Sequence, residues 1–255
     1  MVYYFDVPLG ERKKGFSLIQ RVGLKILKSF SILGSVISIS PSILFHKKLA
    51  LRLNHANILV YREIFELNTY ELNILKFKPE VIIDLGAHVG MFSVLASARF
   101  PESKLFCFEP NPENITVLKK NIQSANSEII TKAVSNYGGT AWFTSFGADY
   151  SGRLLDSGYP QAFQVEVLDF VKFLEELKPT SLLLKMDIEG EEKNLLPKIV
   201  HLLPQSVCLF FETHYDLAFY SELKQMLELN NFRVEMIRTR NVDGIDYTDA
   251  FAIRQ

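Results

Sequence analysis

The chain has 255 residues, 48% of them hydrophobic, and a formal net charge of -1 at pH 7. This length and composition fit one large globular α/β domain with a modest extension, and the nearly neutral charge gives no reason to expect nucleic acid as a partner. Cys107 and Cys208 each lie in an apolar run. Such positions favour buried, reduced thiols and therefore a cytoplasmic protein.

Residues 1–60 are predicted to form a helical extension that is both basic and apolar. Between Arg12 and Arg52 there are nine Lys or Arg residues and no Asp or Glu. The uncharged run Ser29–Phe45 is too short and too rich in serine to span a membrane, and it begins too far from Met1 for a signal peptide. Two interpretations stay open: helices that pack on the main domain or mediate self-association, and a helix lying on an anionic membrane surface.

Residues 61–255 are predicted to form one domain in which strands and helices alternate after a lead-in at 61–78. This alternation predicts a parallel sheet with a ligand crevice at the carboxyl ends of its strands. The predicted strands are Val81–Asp84, Lys104–Glu109, Glu128–Ala133, Ser181–Asp187, Val207–Glu212, Phe232–Ile237 and Asp249–Ile253. The predicted helices are Met91–Phe100, Pro112–Ser124, Asp169–Leu177, Glu191–Leu203 and Asp216–Leu229.

The segment Ser135–Phe170 interrupts this alternation, because glycines separate short β-prone runs, and it is predicted to be an antiparallel insertion. Its aromatic side chains could stack on a sugar or a lipid-linked glycan, although such spacing is more typical of core residues. These aromatics are Trp142, Phe143, Phe146, Tyr150 and Tyr159.

The first motif, VIIDLGAHVGMF, places Asp84 at the end of a buried strand and Gly86 and Gly90 around a tight turn. A dinucleotide-binding turn would have a third glycine, and a phosphate-binding P-loop would have Gly-Lys-Ser/Thr. A carboxylate at the strand end would repel a phosphate. S-adenosylmethionine has an ammonium, a sulfonium and ribose hydroxyls but no phosphate, so the turn favours this cofactor.

Two further acidic motifs follow at strand ends. In FCFEPNP, Glu109 lies 25 positions after Asp84, close to the spacing of about 20 at which an acid reaches ribose hydroxyls, and Asn111 is a predicted helix cap. In LLLKMDIEGEE, Asp187 and Glu189 precede Gly190. So many acids at one strand end are unfavourable unless they bind something.

Together, DLGAHVG, FEPNP and KMDIEGEE resemble the FkbM-type family of class I S-adenosylmethionine-dependent methyltransferases, as do AVSNYGG, LDF and FFETH. The resemblance covers about Arg62 to Ile253 and departs from the family at His88, where Asn is frequent. It implies a Rossmann-like, seven-stranded, mostly parallel sheet with a reversed last strand, and methyl transfer that is generally to oxygen. The predicted cofactor-binding residues are Asp84, Gly86, Ala87, Gly90, Glu109, Asn111 and Asp187.

The acceptor is predicted to be a hydroxyl on a sugar, glycan or secondary metabolite, and its proton needs an acceptor. His214, Asp187 and Glu189 are the candidate catalytic residues, and a reaction without a dedicated base stays open. Asp187, Glu212 and His214 could alternatively share a divalent metal ion, although the favoured interpretation has none. A non-catalytic Rossmann-core scaffold and a nicotinamide-dependent oxidoreductase are the remaining alternatives.

Overall fold

The computed structural model describes residues 36–39, 48–52, 54–145, 152–155, 161–214, 216–242 and 245–255. The thirteen strands of these residues are β1 Val36–Ile39, β2 Leu49–Arg52, β3 Val81–Leu85, β4 Lys104–Phe108, β5 Ser127–Ile130, β6 Ala133–Ser135, β7 Gly139–Ser145, β8 Gly152–Leu155, β9 Phe163–Asp169, β10 Ser181–Met186, β11 Ser206–His214, β12 Arg233–Val242 and β13 Ile245–Arg254. The α-helices are α1 His55–Tyr61, α2 Met91–Arg99, α3 Pro112–Asn121, α4 Phe170–Leu177, α5 Glu192–Ile199 and α6 Leu217–Leu229.

Seven strands form the central sheet, in the order β12-β13-β11-β10-β3-β4-β5. Strand β13 runs antiparallel to both of its neighbours, whereas the other pairs are parallel. The predicted mostly parallel seven-stranded sheet with one reversed strand is confirmed. The chain proceeds from β3 toward β5 on one side and later from β10 toward β12 on the other. A crevice is therefore expected above β3 and β10, where the strand order reverses.

Two apolar clusters cover the two faces of this sheet. Helices α4, α5 and α6 pack on one face through residues such as Phe170, Leu196 and Leu227. Helices α2 and α3 pack on the other face, and Leu49 and Leu51 of β2 belong to that same buried cluster. Successive strand residues point to opposite faces, so continuous apolar strands such as β3 supply both clusters.

The N-terminal segment differs from the predicted helical extension within the part that the structure describes. Strands β1 and β2 pair antiparallel, and only His55–Tyr61 of this segment is helical. The reason is the alternating pattern of Leu49–Arg52, which buries every second residue as a strand does. Residues 1–35, 40–47 and 53 lie outside the described residues, so the membrane-surface helix and self-association stay predictions. The domain boundary at 60 also stays a prediction. Among the described helices, none has the length and hydropathy needed to cross a membrane.

The insertion forms a second sheet in the order β6-β9-β7-β8. Its strands pair antiparallel as predicted, except that β6 and β9 are parallel. Phe143 is buried and packs edge-on against Phe163 at 5.5 Å between ring centroids, so this aromatic is a core residue. Trp142 is half-buried, whereas Phe146, Tyr150 and Tyr159 lie outside the described residues.

Candidate functional site

The glycine turn between β3 and α2 is bonded to the end of β4. The backbone N–H groups of Gly86 and Ala87 both donate to the carbonyl of Phe108, at 3.1 and 2.8 Å. Gly86 has a φ of +75°, and a Cβ there would overlap the carbonyl oxygen of Asp187. Gly90 also has a positive φ, of +84°, at the start of α2. The turn therefore needs glycine for both conformation and space.

His88 is the residue at which the glycine turn departs from the FkbM-type motif. Its φ is +53°, in the left-handed region where Asn and His are enriched among non-glycine residues. Its backbone N–H donates to Glu109 Oε2 at 2.8 Å. The backbone of His88 therefore joins the turn to Glu109.

Glu109 lies directly after β4, buried between the turn and the start of α3. Besides the bond from His88, its Oε1 accepts from the backbone N–H of Asn111 at 2.9 Å and from Asn114 Nδ2 at 3.3 Å. Asn111 caps α3 as predicted, because its Oδ1 accepts from the backbone N–H of Glu113. Burial raises the pKa of Glu109 to about 7, although these donors oppose the shift.

Asp84 contacts two side chains beneath the turn. Its side-chain Oδ2 accepts from Ser93 Oγ at 2.6 Å, and its Oδ1 lies 3.4 Å from Lys185 Nζ. Asp84 has no exposed surface. Burial raises the pKa of this carboxyl, while Lys185 and Ser93 lower it, and the net direction is upward. A direct contact between Asp84 and a cofactor stays a prediction.

Replacing Ser93 by alanine is expected to destabilise the fold by about 1–3 kcal/mol, because the buried carboxylate of Asp84 would lose its hydroxyl donor. Urea unfolding measures this change. Ser97→Ala is the matched control, since Ser97 on the same helix donates only to the carbonyl of Val94. Equal stability of the two variants would contradict a structural role for the Ser93 bond.

The loop after β10 carries the second group of acids. Asp187 lies 3.4 Å from Lys185 Nζ. Burial alone would raise the pKa of Asp187, but Lys185 and protonated His214 bring it below its usual value. Glu192, fully buried at the start of α5, accepts from the backbone N–H groups of Ile188 and Gly190 at 2.7 and 2.8 Å. Glu192 therefore fixes the shape of this loop.

His214 ends β11 and faces carboxylates on both ring nitrogens. Its Nδ1 lies 3.5 Å from Glu192, whereas its Nε2 lies 3.2 Å from Glu189 and 3.7 Å from Asp187. Burial lowers the pKa of this imidazole, but Glu192, Glu189 and Glu212 outweigh burial and hold it well above its usual value. The surrounding carboxylates therefore favour the protonated form of His214.

Glu189 is a second carboxyl, after Glu109, whose pKa lies near neutral pH. Burial raises its pKa to about 7, against the lowering effect of His214. Its φ is +54°, an unusual backbone conformation for a residue other than glycine. Such conformations cost about 1–3 kcal/mol in a residue other than glycine. The backbone thus places this carboxylate beside His214 at an energetic cost.

A charged network closes the β11 side of the crevice. Arg240 of β12 pairs with Glu212 of β11 and, at 3.1 Å, with Glu63. Glu63 also pairs with Arg238 at 2.9 Å, and Arg238 in turn contacts Asp249. Residues far apart in sequence thereby meet at the end of β11.

The structure places the predicted site residues at one end of the sheet. Around the glycine turn, Gly86 and Ala87 donate to Phe108, while Glu109 accepts from His88 and Asn111. Asp187, Glu189 and His214 form a second group. Lys185 connects the two groups through Asp84 and Asp187. The sequence reasoning missed Lys185, Glu192, Arg240 and Glu63. For Lys185 a signal was present, namely one lysine within the apolar strand LLLKM.

Three of the acceptor-side groups also match the alternative metal site. Asp187, Glu212 and His214 each offer one ligand atom, and these atoms lie within 4.8 Å of one another. Both carboxylates already face cations, however: Asp187 faces Lys185 and Glu212 faces Arg240. A divalent ion would have to compete with these pairs.

Known methyltransferases are similar to this chain over the part that contains most of the candidate site. The Methyltransferase FkbM domain family matches residues 84–234, more than half of the chain. Methyltransferase sdnD of Sordaria araneosa is 36% identical over 63 residues, which are 25% of this chain and 24% of that protein. The 31-O-demethyl-FK506 methyltransferase FkbM of Streptomyces tacrolimicus is 35% identical over 63 residues, 24% of each chain. The chain therefore aligns with about a quarter of the length of these two relatives.

Among solved structures, P. horikoshii TYW2 in complex with MeSAdo has a TM-score of 0.48 and 12% sequence identity. The superposition covers 87% of this chain and 72% of that one.

Proposed function

Because the chain belongs to the FkbM family of methyltransferases, we propose that it transfers a methyl group from S-adenosylmethionine to a hydroxyl group of a small molecule or glycan. The observation that carries this proposal is the buried carboxylate of Glu109 beside a glycine turn with no room for a side chain at Gly86. The Streptomyces relative is named a 31-O-demethyl-FK506 methyltransferase, which supports oxygen as the accepting atom.

The residues around the turn fit this cofactor. A carboxylate accepts hydrogen bonds from two adjacent hydroxyl groups, and Glu109 faces the turn where a ribose would lie. The charged side chains close to the turn are mainly carboxylates, such as those of Glu109 and Asp187. Carboxylates suit a ligand with an ammonium and a sulfonium better than one with phosphates. Asp84, Gly86, Ala87, Gly90, Glu109, Asn111 and Asp187 are the proposed cofactor-binding residues.

The bound cofactor would supply an activated methyl group, so the protein mainly has to orient the acceptor and take its proton. We assign the proton to Glu189, since its pKa of about 7 lets it be an acceptor at neutral pH. His214, 3.2 Å away and protonated, stabilises the negative charge of Glu189 and is itself oriented by Glu192. Asp187, held by Lys185, keeps its charge and faces the same imidazole.

A methyl-transfer assay distinguishes this function from that of a non-catalytic scaffold. The purified chain is incubated with methyl-labelled S-adenosylmethionine and a panel of hydroxylated sugars, glycosides and secondary metabolites, each paired with its deoxy analogue. Label in a hydroxylated acceptor but not in its deoxy partner supports O-methylation. Label that mass spectrometry places on a carbon, nitrogen or sulfur atom of the acceptor would contradict oxygen as the accepting atom.

Removing divalent metal ions is expected to leave methyl transfer unchanged, because Lys185 and Arg240 already neutralise Asp187 and Glu212. The measurement is the rate of S-adenosylhomocysteine formation with and without EDTA. A rate that falls with EDTA and returns with added Mg²⁺ would instead assign Asp187, Glu212 and His214 to a metal site.

A further inference from the structure

Lys185 occupies an unusual position, inside the central sheet and almost fully buried. It belongs to β10, where every neighbour from Leu182 to Met186 is an apolar core residue. Only 6% of the surface of Lys185 is exposed to solvent. A buried ammonium is strongly unfavourable unless it is paired and hydrogen-bonded. Its contacts therefore show what the lysine does at this place.

Four groups surround the ammonium, and they come from both halves of the site. Lys185 Nζ donates to the carbonyl of Gly86 at 2.8 Å and to that of Leu85 at 3.4 Å. It also lies 3.4 Å from Asp84 Oδ1 and 3.4 Å from Asp187 Oδ2. The first three groups belong to β3 and the glycine turn, whereas Asp187 begins the loop that carries Glu189.

The backbone of the two segments is in contact at the same point. Asp187 N–H donates to the carbonyl of Leu85 at 3.2 Å, and Gly86 packs against the carbonyl of Asp187. From this point the turn leads to α2, whereas the loop carries Glu189 and leads to α5. Lys185 Nζ thus contacts both segments where their backbones meet.

We propose that Lys185 is a positioning residue that ties the Gly86 turn to the Asp187 loop, so that the cofactor-binding turn and the acceptor-side acids are held as one unit. This inference rests on the proposed function, because it assigns the turn to the cofactor. Catalysis by displacement depends on reacting atoms being held in line, and small displacements reduce the rate strongly. The charged side chain adds to the backbone contacts that already join the turn and the loop.

The competing explanation is that Lys185 only neutralises the buried carboxylate of Asp84. A comparison in two backgrounds separates these roles. Lys185→Met is made in the wild-type chain and in Asp84→Asn, which removes the buried charge while retaining an oxygen that can accept from Ser93. Affinity for S-adenosylhomocysteine is measured by calorimetry for all four proteins, after thermal unfolding has shown which of them are folded.

Positioning predicts that Lys185→Met lowers the affinity about tenfold or more in both backgrounds, because the bond to the Gly86 carbonyl is lost in each. It also predicts a lower turnover rate at saturating S-adenosylmethionine, which the loss of a contact that only supports the turn would not cause. Neutralisation alone predicts no loss in the Asp84→Asn background, and this result would overturn the proposal. If Lys185→Met alone fails to fold, the double variant decides in the same way. A double variant that does not fold would make Lys185 a requirement of the fold and would also overturn the proposal.

The control is Lys198→Met, since Lys198 lies exposed on α5 away from the turn. It is expected to bind S-adenosylhomocysteine with wild-type affinity.

Failure of this inference and failure of the proposed function give different results. A wild-type chain that binds no S-adenosylhomocysteine contradicts the function, whereas a wild type that binds it alongside an unaffected Lys185→Met contradicts only the role of the lysine.

Discussion

Glu109→Gln is expected to lower the affinity for S-adenosylhomocysteine roughly 10- to 100-fold, which corresponds to losing about 1.5–3 kcal/mol of charge-assisted hydrogen bonding. The glutamine keeps the size of the side chain but offers one acceptor oxygen and no charge to the ribose hydroxyls. Calorimetry measures the change. Thermal unfolding of the cofactor-free variant checks that the turn is still folded.

The same glutamate predicts a pH dependence of binding. Its pKa in the folded protein is raised to about 7, so it is largely protonated at pH 6 and largely ionised at pH 8. Ribose hydroxyls donate to the ionised form, and affinity is therefore expected to rise with pH across this window. For the cofactor-free protein the sign is opposite: a carboxyl with a raised pKa contributes stability below its unfolded pKa, and that contribution is lost as pH rises through 7.

Glu128→Gln is the matched control for both measurements, because Glu128 is exposed on the neighbouring strand β5. It should bind as the wild type does and keep the rise in affinity with pH. A Glu109→Gln variant with wild-type affinity, or one that keeps the full pH dependence, would show that the ribose is not bound by this carboxylate.

Glu189→Gln is expected to lower the rate of methyl transfer by about 10²- to 10⁴-fold, the usual contribution of a general base. Affinity for S-adenosylhomocysteine should change little, because Glu189 contacts His214 rather than the glycine turn. The measurement is the turnover rate at saturating cofactor, with a hydroxyl acceptor found in the transfer screen. The variant separates loss of chemistry from loss of binding.

The pair of Glu189 and His214 should behave as one unit. His214→Gln is expected to lower turnover as well, and the double variant should be little slower than the slower single variant. His201→Gln serves as the control, since His201 is exposed after α5. Wild-type turnover in both single variants would contradict the assignment and favour a reaction without a dedicated base.

Much of the fold could be predicted from sequence because its strands are strongly apolar. Strand β3 is predicted as Val81–Asp84 and observed as Val81–Leu85. The two ranges agree because a short, almost continuous apolar run is typical of a buried central strand. Strand β12, predicted to end at Ile237, continues to Val242 through RTRN. Those polar residues are held by pairing with β13 and by ion pairs, which the apolar pattern does not reveal.

The candidate site could be inferred from the sequence where acids end strands, but not where partners come from distant segments. Asp84, Glu109 and Asp187 were identified because a carboxylate at a strand end is conspicuous after an apolar run. Arg240, in contrast, meets Glu63 from 177 positions away. Only the folded sheet brings these two together, so no local spacing could indicate the pair.

The helix predicted at Glu191–Leu203 ends at Ile199, shortly after Pro197.

The most direct test of the central claim is calorimetric binding of S-adenosylhomocysteine to the unmodified chain, alongside Glu109→Ala and Asp84→Ala. We predict saturable binding with one site per chain and a clear loss in Glu109→Ala. Wild-type affinity in both variants would show that the cofactor site lies elsewhere. No binding to the unmodified chain would contradict a methyltransferase that uses this cofactor.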